Sequence, residues 1–193
     1  MKAKSGAVLL LVVAFSSPAW SFEFSGERIF RQNGKEVVAS VQSKSDRWRL
    51  EYSQPQAGAM ATIVRLDRQY AWLIMSKQRL YMEVPIASEH LLMVNETMQG
   101  EVSRELIGTE NLNGYPTELY EVTATAKGSS RQYYQWVTQE HRFAMKTVSK
   151  QEGWSLEYRK IIFAKQSDLY FETPRGYVLG NPPRKSNDPA LAP

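Results

Sequence analysis

The residues best suited to metal binding or proton transfer are two histidines, His90 and His141, each directly after a glutamate. A zinc hydrolase brings such groups together on one ion. The chain has no cysteine, no third histidine and no H-E-x-x-H spacing. Neighbouring side chains on a strand point to opposite faces, so Glu140 is badly placed to act beside His141. A metal-assisted hydrolase therefore stays an alternative that requires His90 and His141 to converge with carboxylates.

Other catalytic signatures are missing as well. The chain has no G-x-S-x-G elbow, no Walker loop and no G-x-G-x-x-G turn, which removes the usual sequence support for acyl transfer and nucleotide chemistry. Carboxylate pairs such as Glu118 and Glu121 occur, but nothing in the sequence marks them as buried. We predict a protein that is not an enzyme and that uses no cofactor and no metal.

The first 21 residues have the pattern of a secretory signal peptide. Lys2 and Lys4 form a positive start, residues 7–15 are apolar, and Ala19-Trp20-Ser21 is a small-x-small cleavage site. The apolar run is too short for a membrane span, which needs about 20 residues. We predict export to the periplasm, cleavage before Phe22 and a soluble mature protein.

The charge balance of the mature chain excludes a dedicated nucleic-acid binder. Without Lys2 and Lys4, 22 of the 24 basic residues remain against 20 acidic ones, and the two signs alternate instead of forming a basic stripe. The absence of cysteine also excludes disulfides and a lipid anchor on an N-terminal cysteine. The exported domain must therefore be stabilised by burial and hydrogen bonds.

Most of the chain alternates apolar and polar residues with a period of two, which predicts strands. Asn33-Gly34 predicts a tight hairpin turn between strands at 23–32 and 36–44. Trp48, Leu50 and Tyr52 alternate with charged residues, which predicts a strand with one buried face. Later strands are expected at 102–110, 117–125, 132–138, 142–149 and 154–163. In the last of them, one face should carry Trp154, Leu156, Tyr158 and Ile162.

The segment from Ile63 to Pro85 predicts three successive antiparallel strands with more apolar residues than one sheet face needs. Its part from Tyr70 to Met75 is apolar on both faces, so we expect core on one side and a helix, a partner or a ligand on the other. Ser88 can cap a short amphipathic helix that ends near Met98. This helix would form a lid.

These patterns predict a mainly β domain over residues 22–179. The fold class is a strongly curved antiparallel sheet, or incomplete β-barrel, with a short helical lid; a sandwich is the other architecture considered. Residues 180–193 are rich in proline and polar residues and should form a disordered tail.

Three motifs resemble those of the LolA family of periplasmic outer-membrane lipoprotein carriers and their relatives of unknown function. They are Tyr52-Ser53-Gln54-Pro55, then Ile63 with Asp67, Trp72 and Tyr81, and finally Phe171-x-x-Pro174-x-Gly176. The resemblance implies a half-open barrel whose concave apolar face, closed by a helical lid, holds acyl chains or a hydrophobic peptide. Lys44 stands where the carriers have a lid-binding arginine, which favours a relative of different role over a true carrier.

The resemblance implies a periplasmic binding protein or chaperone that holds a hydrophobic ligand and is related to outer-membrane lipoprotein sorting. Its partners would be lipid or lipoprotein acyl chains, with membrane-associated proteins that deliver and accept the cargo. The residues expected to line the hydrophobic cavity are Trp48, Leu50, Tyr52, Val64, Leu66, Trp72, Ile74, Leu80 and Met82, with Leu91, Val94 and Met98 from the lid.

The alternative is a protein-interaction or sensor module without a lipid ligand. Aromatic side chains anchor protein interfaces, so this alternative predicts one exposed aromatic patch. Its members would be Tyr70, Trp72, Tyr133, Tyr134 and Trp136.

Overall fold

A computed structural model describes residues 22–126 and 128–180. Within these ranges twelve strands form one sheet. In chain order they are β1 (Phe24–Gln32), β2 (Lys35–Lys44), β3 (Arg47–Gln56), β4 (Ala59–Arg65), β5 (Tyr70–Met75), β6 (Leu80–Pro85), β7 (Glu101–Leu112), β8 (Tyr115–Ala126), β9 (Ser129–Thr138), β10 (Ala144–Ser149), β11 (Trp154–Phe163) and β12 (Val178–Leu179). The predicted signal peptide and residues 181–193 of the predicted tail lie outside the described residues.

The sheet consists of two antiparallel meanders that meet at one strand pair. Strands β1 to β6 follow one another in space, strands β7 to β11 do the same, and β1 pairs with β11. The short β12 adds to the edge of β6 in parallel. Strands β7 and β12 form the two edges, so the sheet is not closed, and the predicted mainly β, incomplete-barrel fold is confirmed.

Local sequence signals position several of these strands correctly. Asn33 and Gly34 adopt φ values of 51° and 74° between β1 and β2, the positive angles that a tight hairpin turn requires. In β3, Trp48 and Leu50 are 5% and 2% exposed. The hairpin and the buried face of β3 are therefore confirmed, as are the three antiparallel strands between Ile63 and Pro85.

One face of the sheet, called here the concave face, carries the main core. Its fully buried side chains come from both meanders and include Phe24 of β1, Phe143 before β10 and Tyr158 of β11. The ring centroids of Phe24 and Phe143 are 5.0 Å apart, and those of Phe143 and Tyr158 are 5.5 Å apart. Edge-to-face contacts of this kind add to the area that the rings bury. The β1–β11 pair thus joins the meanders around one aromatic cluster.

A bulge in β11 changes which residues face this core. Between β1 and β11 the pairing shifts by one residue next to Lys160, which has a φ of 52°. As a result Ile161 is buried at 5% exposure, whereas Ile162 is 62% exposed. The prediction that Ile162 shares a face with Tyr158 is wrong, because the extra residue of a bulge reverses the inward and outward alternation.

The predicted lid helix is also wrong. Residues 86–100, called here the strap, contain a single turn of 3-10 helix at Ser88–His90 and continue without further helix. The Ala144 amide donates to the Val94 carbonyl at 2.9 Å, and Asn95 forms a bridge with Phe143. An isolated helix of this length is marginal in water. The extended strap gains these hydrogen bonds and lets four consecutive apolar residues, Leu91 to Val94, contact the core.

The opposite, outer face of β4 and β5 is covered by the C-terminal segment. Ile63, Trp72 and Ile74 are buried there around Phe171, which has no exposed surface. Arg65 holds this cover through hydrogen bonds from its guanidinium to the Phe171 carbonyl, at 3.2 Å, and to Glu172, at 2.7 Å. The expectation that Tyr70–Met75 needs cover on both faces is confirmed.

None of the helical turns in the described ranges is long and apolar enough to cross a membrane.

We predict that Gly26→Ala destabilises the fold through the bulge. A Cβ at Gly26 would lie 2.5 Å from Cδ1 of Ile161 and 2.9 Å from the Arg159 carbonyl oxygen, so the pairing of β1 with β11 must shift. The expected loss in the free energy of unfolding is about 1 to 3 kcal/mol, measured by urea denaturation. Gly108→Ala is the matched control, because a Cβ at this strand glycine meets nothing within 4 Å. Equal stability of the two variants would contradict the prediction.

We predict that Phe171→Ala removes the cover of the outer face. Loss of a fully buried phenylalanine costs about 3 to 5 kcal/mol and should shift the tryptophan emission to the red as Trp72 meets water. Leu169→Ala, two residues away and 79% exposed, should stay within about 0.5 kcal/mol of the wild type. Thermal unfolding with emission spectra tests both, and a Phe171→Ala variant as stable as Leu169→Ala would refute the covering role.

Candidate functional site

The candidate site is the concave face together with the strap that covers it. Most of the predicted lining residues lie there. Trp48, Leu50, Val64 and Val94 belong to its buried core, and Tyr52, Leu66 and Leu91 pack against that core. Met98 packs against a neighbouring cluster formed by Val122, Ala124 and Tyr133. Their role in ligand binding stays a prediction.

Leu80 and Met82 are half-buried at the β6 end of this face. Met82 pairs with Leu73, Leu73 pairs with Thr62, and Thr62 pairs with Leu50. Because directly paired residues share a face, Met82 lies on the same face as Leu50.

Trp72 and Ile74 cannot line this surface. Val64 pairs with Ala71, whereas Ile63 pairs with Trp72. Since alternate residues of a strand point to opposite faces, Trp72 lies behind the sheet with Ile63, and Ile74 lies there too. The prediction that these two residues share a cavity with Trp48 is therefore wrong. The sequence suggested it because β5 is apolar at every position, which hides the face of each residue.

Several residues of the concave face were missed by the sequence analysis. They come from the start of the first meander or from the second meander, and they are Phe22, Phe24, Phe143, Met145, Tyr158 and Phe163. Phe24, Phe143, Met145 and Tyr158 have no exposed surface. The alternation around Tyr158 gave a usable signal for a buried face, but only the β1–β11 pairing brings that face opposite Trp48 and Val64.

The beginning of the strap is attached through Trp48. The indole N–H of this buried side chain donates to the His90 carbonyl at 2.8 Å. The Ala87 amide donates to Nδ1 of His90 at 3.1 Å, which stabilises the turn itself. His90 therefore has a structural contact in the strap.

The end of the strap is attached through two arginines. Arg104 donates to Oε1 of Glu101 and to Oε1 of Gln135, each at 2.8 Å, and also to the Glu96 carbonyl. Burial opposes ionisation of Glu101, but Arg104 and the Met98 amide outweigh it, so the pKa of Glu101 lies below its usual value. The network is thus charged at neutral pH and holds the end of the strap.

Arg142 connects the strap to β8. Its guanidinium forms salt bridges with Glu96 of the strap and with Glu118, the second at 2.5 Å. The hydrogen bonds from Tyr120 and Arg142 lower the pKa of Glu118, and the bond to Glu96 raises the pKa of Arg142. Between the two attached ends, Leu91, Leu92 and Met93 contact the concave face through apolar side chains.

Among the described residues, the groups that a metal-assisted hydrolase requires do not come together. Within residues 22–126 and 128–180, no group of three or more His, Cys, Asp or Glu side chains is placed to hold a metal ion. The ring of His141 lies against Phe163, with 4.0 Å between centroids. A crevice of about 470 Å³ lies near the β1–β2 turn, between Asn33 and Trp154, away from the aromatic cluster.

The five aromatic residues of the interaction hypothesis do not form one exposed patch. Trp72 and Tyr133 are buried, at 6% and 8% exposure. Tyr134 and Trp136 are neighbours, with 6.4 Å between their rings, and Lys146 lies 4.6 Å from the Trp136 ring. The predicted patch is wrong because successive residues of β9 face opposite sides of the sheet.

Comparison with solved structures finds this fold elsewhere. A crystal structure of MucB is 13% identical, with a TM-score of 0.54, and the match covers 80% of this chain and 58% of that chain. A structure of MucB in complex with MucA(peri) is 15% identical, with a TM-score of 0.51 and coverage of 79% and 54%. The present chain thus spans less than two thirds of MucB, and at this identity the likeness concerns the fold alone.

The family that the motifs resemble is also found among the matched structures. The matched structures include a LolA superfamily protein from Nitrosomonas europaea, 12% identical, with a TM-score of 0.38 and coverage of 81% of this chain and 91% of that chain.

No curated protein matches the sequence. Residues 31–142, more than half of the chain, match the family described as "Domain of unknown function (DUF4412)", and the chain therefore belongs to the DUF4412 family.

Proposed function

We propose that this protein is a periplasmic binding protein or chaperone that holds the acyl chain of a lipid or lipoprotein against the concave face. The strap would act as the lid, and the ligand would take the place of its central residues. The signal-peptide pattern of residues 1–21 supports a periplasmic location. Membrane-associated proteins would deliver and accept the cargo, and the role would be related to outer-membrane lipoprotein sorting.

One observation carries the proposal. A continuous apolar surface from β1 to β5 is covered by a segment attached by polar contacts at its two ends, through Trp48 and through Arg104 with Arg142. Its centre, Leu91 to Met93, is held by apolar packing. Such a segment can separate from the sheet at its centre without breaking the ladder hydrogen bonds of any strand.

The energetics of the exchange are close to balanced. Burial of an apolar side chain such as Leu or Met contributes at most about 1.5 to 3 kcal/mol, and the centre of the strap places three such residues on the concave face. About ten methylenes of an acyl chain contribute on the order of 8 kcal/mol before association costs. A ligand and the strap thus compete for one surface with similar free energies, which suits a protein that must also release its cargo.

The second candidate function is protein binding at the free edge of the sheet. Strand β7 is an edge strand and exposes Val102, Leu106 and Ile107 at 69%, 54% and 45%. An exposed edge can accept an extended segment of a partner. The structure of MucB with MucA(peri) supports a protein partner for a neighbouring fold. This candidate predicts binding that does not require displacement of the strap.

The proposal is tested by native mass spectrometry of the mature protein, from Phe22 onward, purified from a bacterial periplasm. We expect a copurifying acyl-chain species with one copy per protein, which lipid extraction would identify. If the protein is ligand-free, phospholipids and acylated peptides are added next. No uptake in that second experiment would refute the lipid proposal and leave edge binding as the first candidate.

We predict that Arg142→Gln speeds ligand uptake by loosening the strap. Loss of the bridges to Glu96 and Glu118 should raise hydrogen exchange in the second half of the strap and increase the association rate about 2- to 10-fold. Arg31→Gln is the matched control, because Arg31 has similar exposure and also bridges two carboxylates. Faster exchange with an unchanged association rate would show that the strap does not control entry.

A further inference from the structure

Arg28 is a cation of the concave face that forms no ion pair within the described part of the chain. It lies on β1 and pairs with Ala39 and Tyr158, both buried residues of the concave core. Its Nε is buried and has no hydrogen-bond partner, and it forms no salt bridge with any residue of 22–126 and 128–180. The aromatic ring of Phe30, 5.8 Å from its guanidinium carbon, is a contact of Arg28 on its own strand.

The other two arginines at this face are neutralised. Arg104 bridges Glu101, and Arg142 bridges Glu96 and Glu118. An unmatched charge beside an apolar core is costly unless a counter-charge and hydrogen bonds compensate it. Arg28 therefore leaves the concave face with one positive charge that a ligand can neutralise.

Tyr158 adds a second unused polar group at the same place. Its side chain is fully buried, and no group in the described part of the chain meets hydrogen-bond geometry with its hydroxyl, although the Arg28 guanidinium and the Met93 amide lie close to it. Burial raises the pKa of Tyr158, whereas Arg28 and the Met93 amide, which face the hydroxyl, act in the opposite sense. The hydroxyl is thus protonated at neutral pH and can donate a hydrogen bond.

The strap lies over Tyr158. Met93 packs on the concave core, and its amide faces the Tyr158 hydroxyl, so displacement of the strap centre would uncover this hydroxyl beside Arg28. From β1 the apolar surface continues through Val41 and Leu50 to Val64 and Ala71, four strand spacings or about 19 Å. A charged head group at Arg28 would thus lie at one end of a strip that an acyl chain can cover.

We propose that Arg28 and Tyr158 bind the monoanionic head group of a single-chain amphiphile whose tail replaces the strap on the concave face. The head group is a carboxylate or a phosphodiester, as in a fatty acid or an anionic lysophospholipid. Arg28 supplies the charge and its free Nε–H, and Tyr158 donates its O–H to a second oxygen. This inference rests on the proposed function and names the chemistry of the ligand.

The test is calorimetric titration of the mature protein at neutral pH with three ligands of equal chain length. These are palmitate and palmitoyl lysophosphatidylglycerol, each below its critical micelle concentration, and hexadecanol, below its solubility limit. We expect at least one of the two anions to bind about 10- to 100-fold more tightly than the alcohol, the range expected for hydrogen bonds to a charged group. The tighter anion identifies the source of the head group.

Variants connect this preference to the two residues. Arg28→Met should bring the anion affinity down to that of the alcohol, and Tyr158→Phe should reduce the ratio of anion to alcohol affinity several-fold. Arg175→Met, which removes an exposed arginine from the C-terminal segment, is the matched control and should bind as the wild type does. Arg28→Lys keeps the charge and should keep part of the preference. Thermal unfolding of each variant accompanies the titrations.

The outcomes separate this inference from the proposed function. Equal affinity of the wild type for alcohol and anions overturns the head-group site but leaves acyl-chain binding in place. No binding of any of the three ligands overturns both. An anion preference that survives in Arg28→Met also overturns the assignment of the head-group site. If Arg28→Met fails to fold, the assignment is overturned by full anion affinity in Tyr158→Phe.

Discussion

The pairing of β1 with β11 is the contact on which the rest of the structure depends. Each meander alone would leave an apolar face open to water, and this pair joins residues more than a hundred positions apart into one sheet. It brings Phe24 beside Tyr158 and Phe143, so both halves contribute to one core. Gly26 makes the junction possible, because a side chain there would collide with the bulge that turns Ile161 inward.

The strap follows from the same constraint. A sheet that curves without closing keeps an apolar concave surface that must be covered. Here the chain covers it with its own segment between the two meanders, attached by side chains of the sheet at both ends. Attachment by Trp48, Arg104 and Arg142 fixes where the strap lies, while apolar packing of its centre leaves room for exchange with another apolar molecule. The outer face is covered differently, by the buried side chain of Phe171 and by a hydrogen bond from Arg65 to the Phe171 carbonyl.

Polar groups within an apolar surface distinguish a binding face from an ordinary core. A core that served only stability would pair its charges or exclude them. The sheet pairs Glu157 in this way. Burial would raise the pKa of Glu157, but Arg159, Asn113 and Arg31 lower it to about 2. In the described part of the chain, Arg28 forms no salt bridge, and neither its Nε nor the Tyr158 hydroxyl has a hydrogen-bond partner of good geometry. The likeness to MucB concerns the sheet alone, so these two residues give the ligand hypothesis its chemistry.

The sequence by itself determined what depends on neighbouring residues. Period-two alternation located the strands, Asn33-Gly34 located the hairpin turn, and the two-sided apolar pattern of Tyr70–Met75 required cover on both faces. Only the tertiary structure decided which face each residue occupies across the sheet. Trp72 and Ile74 lie on the outer face, and Ile161 replaces Ile162 in the core. The predicted helix from Ser88 to Met98 is part of the strap, because the sheet offers this segment hydrogen bonds and apolar contacts. Register, bulges and the β1–β11 pairing are set by contacts between distant residues, which no local pattern encodes.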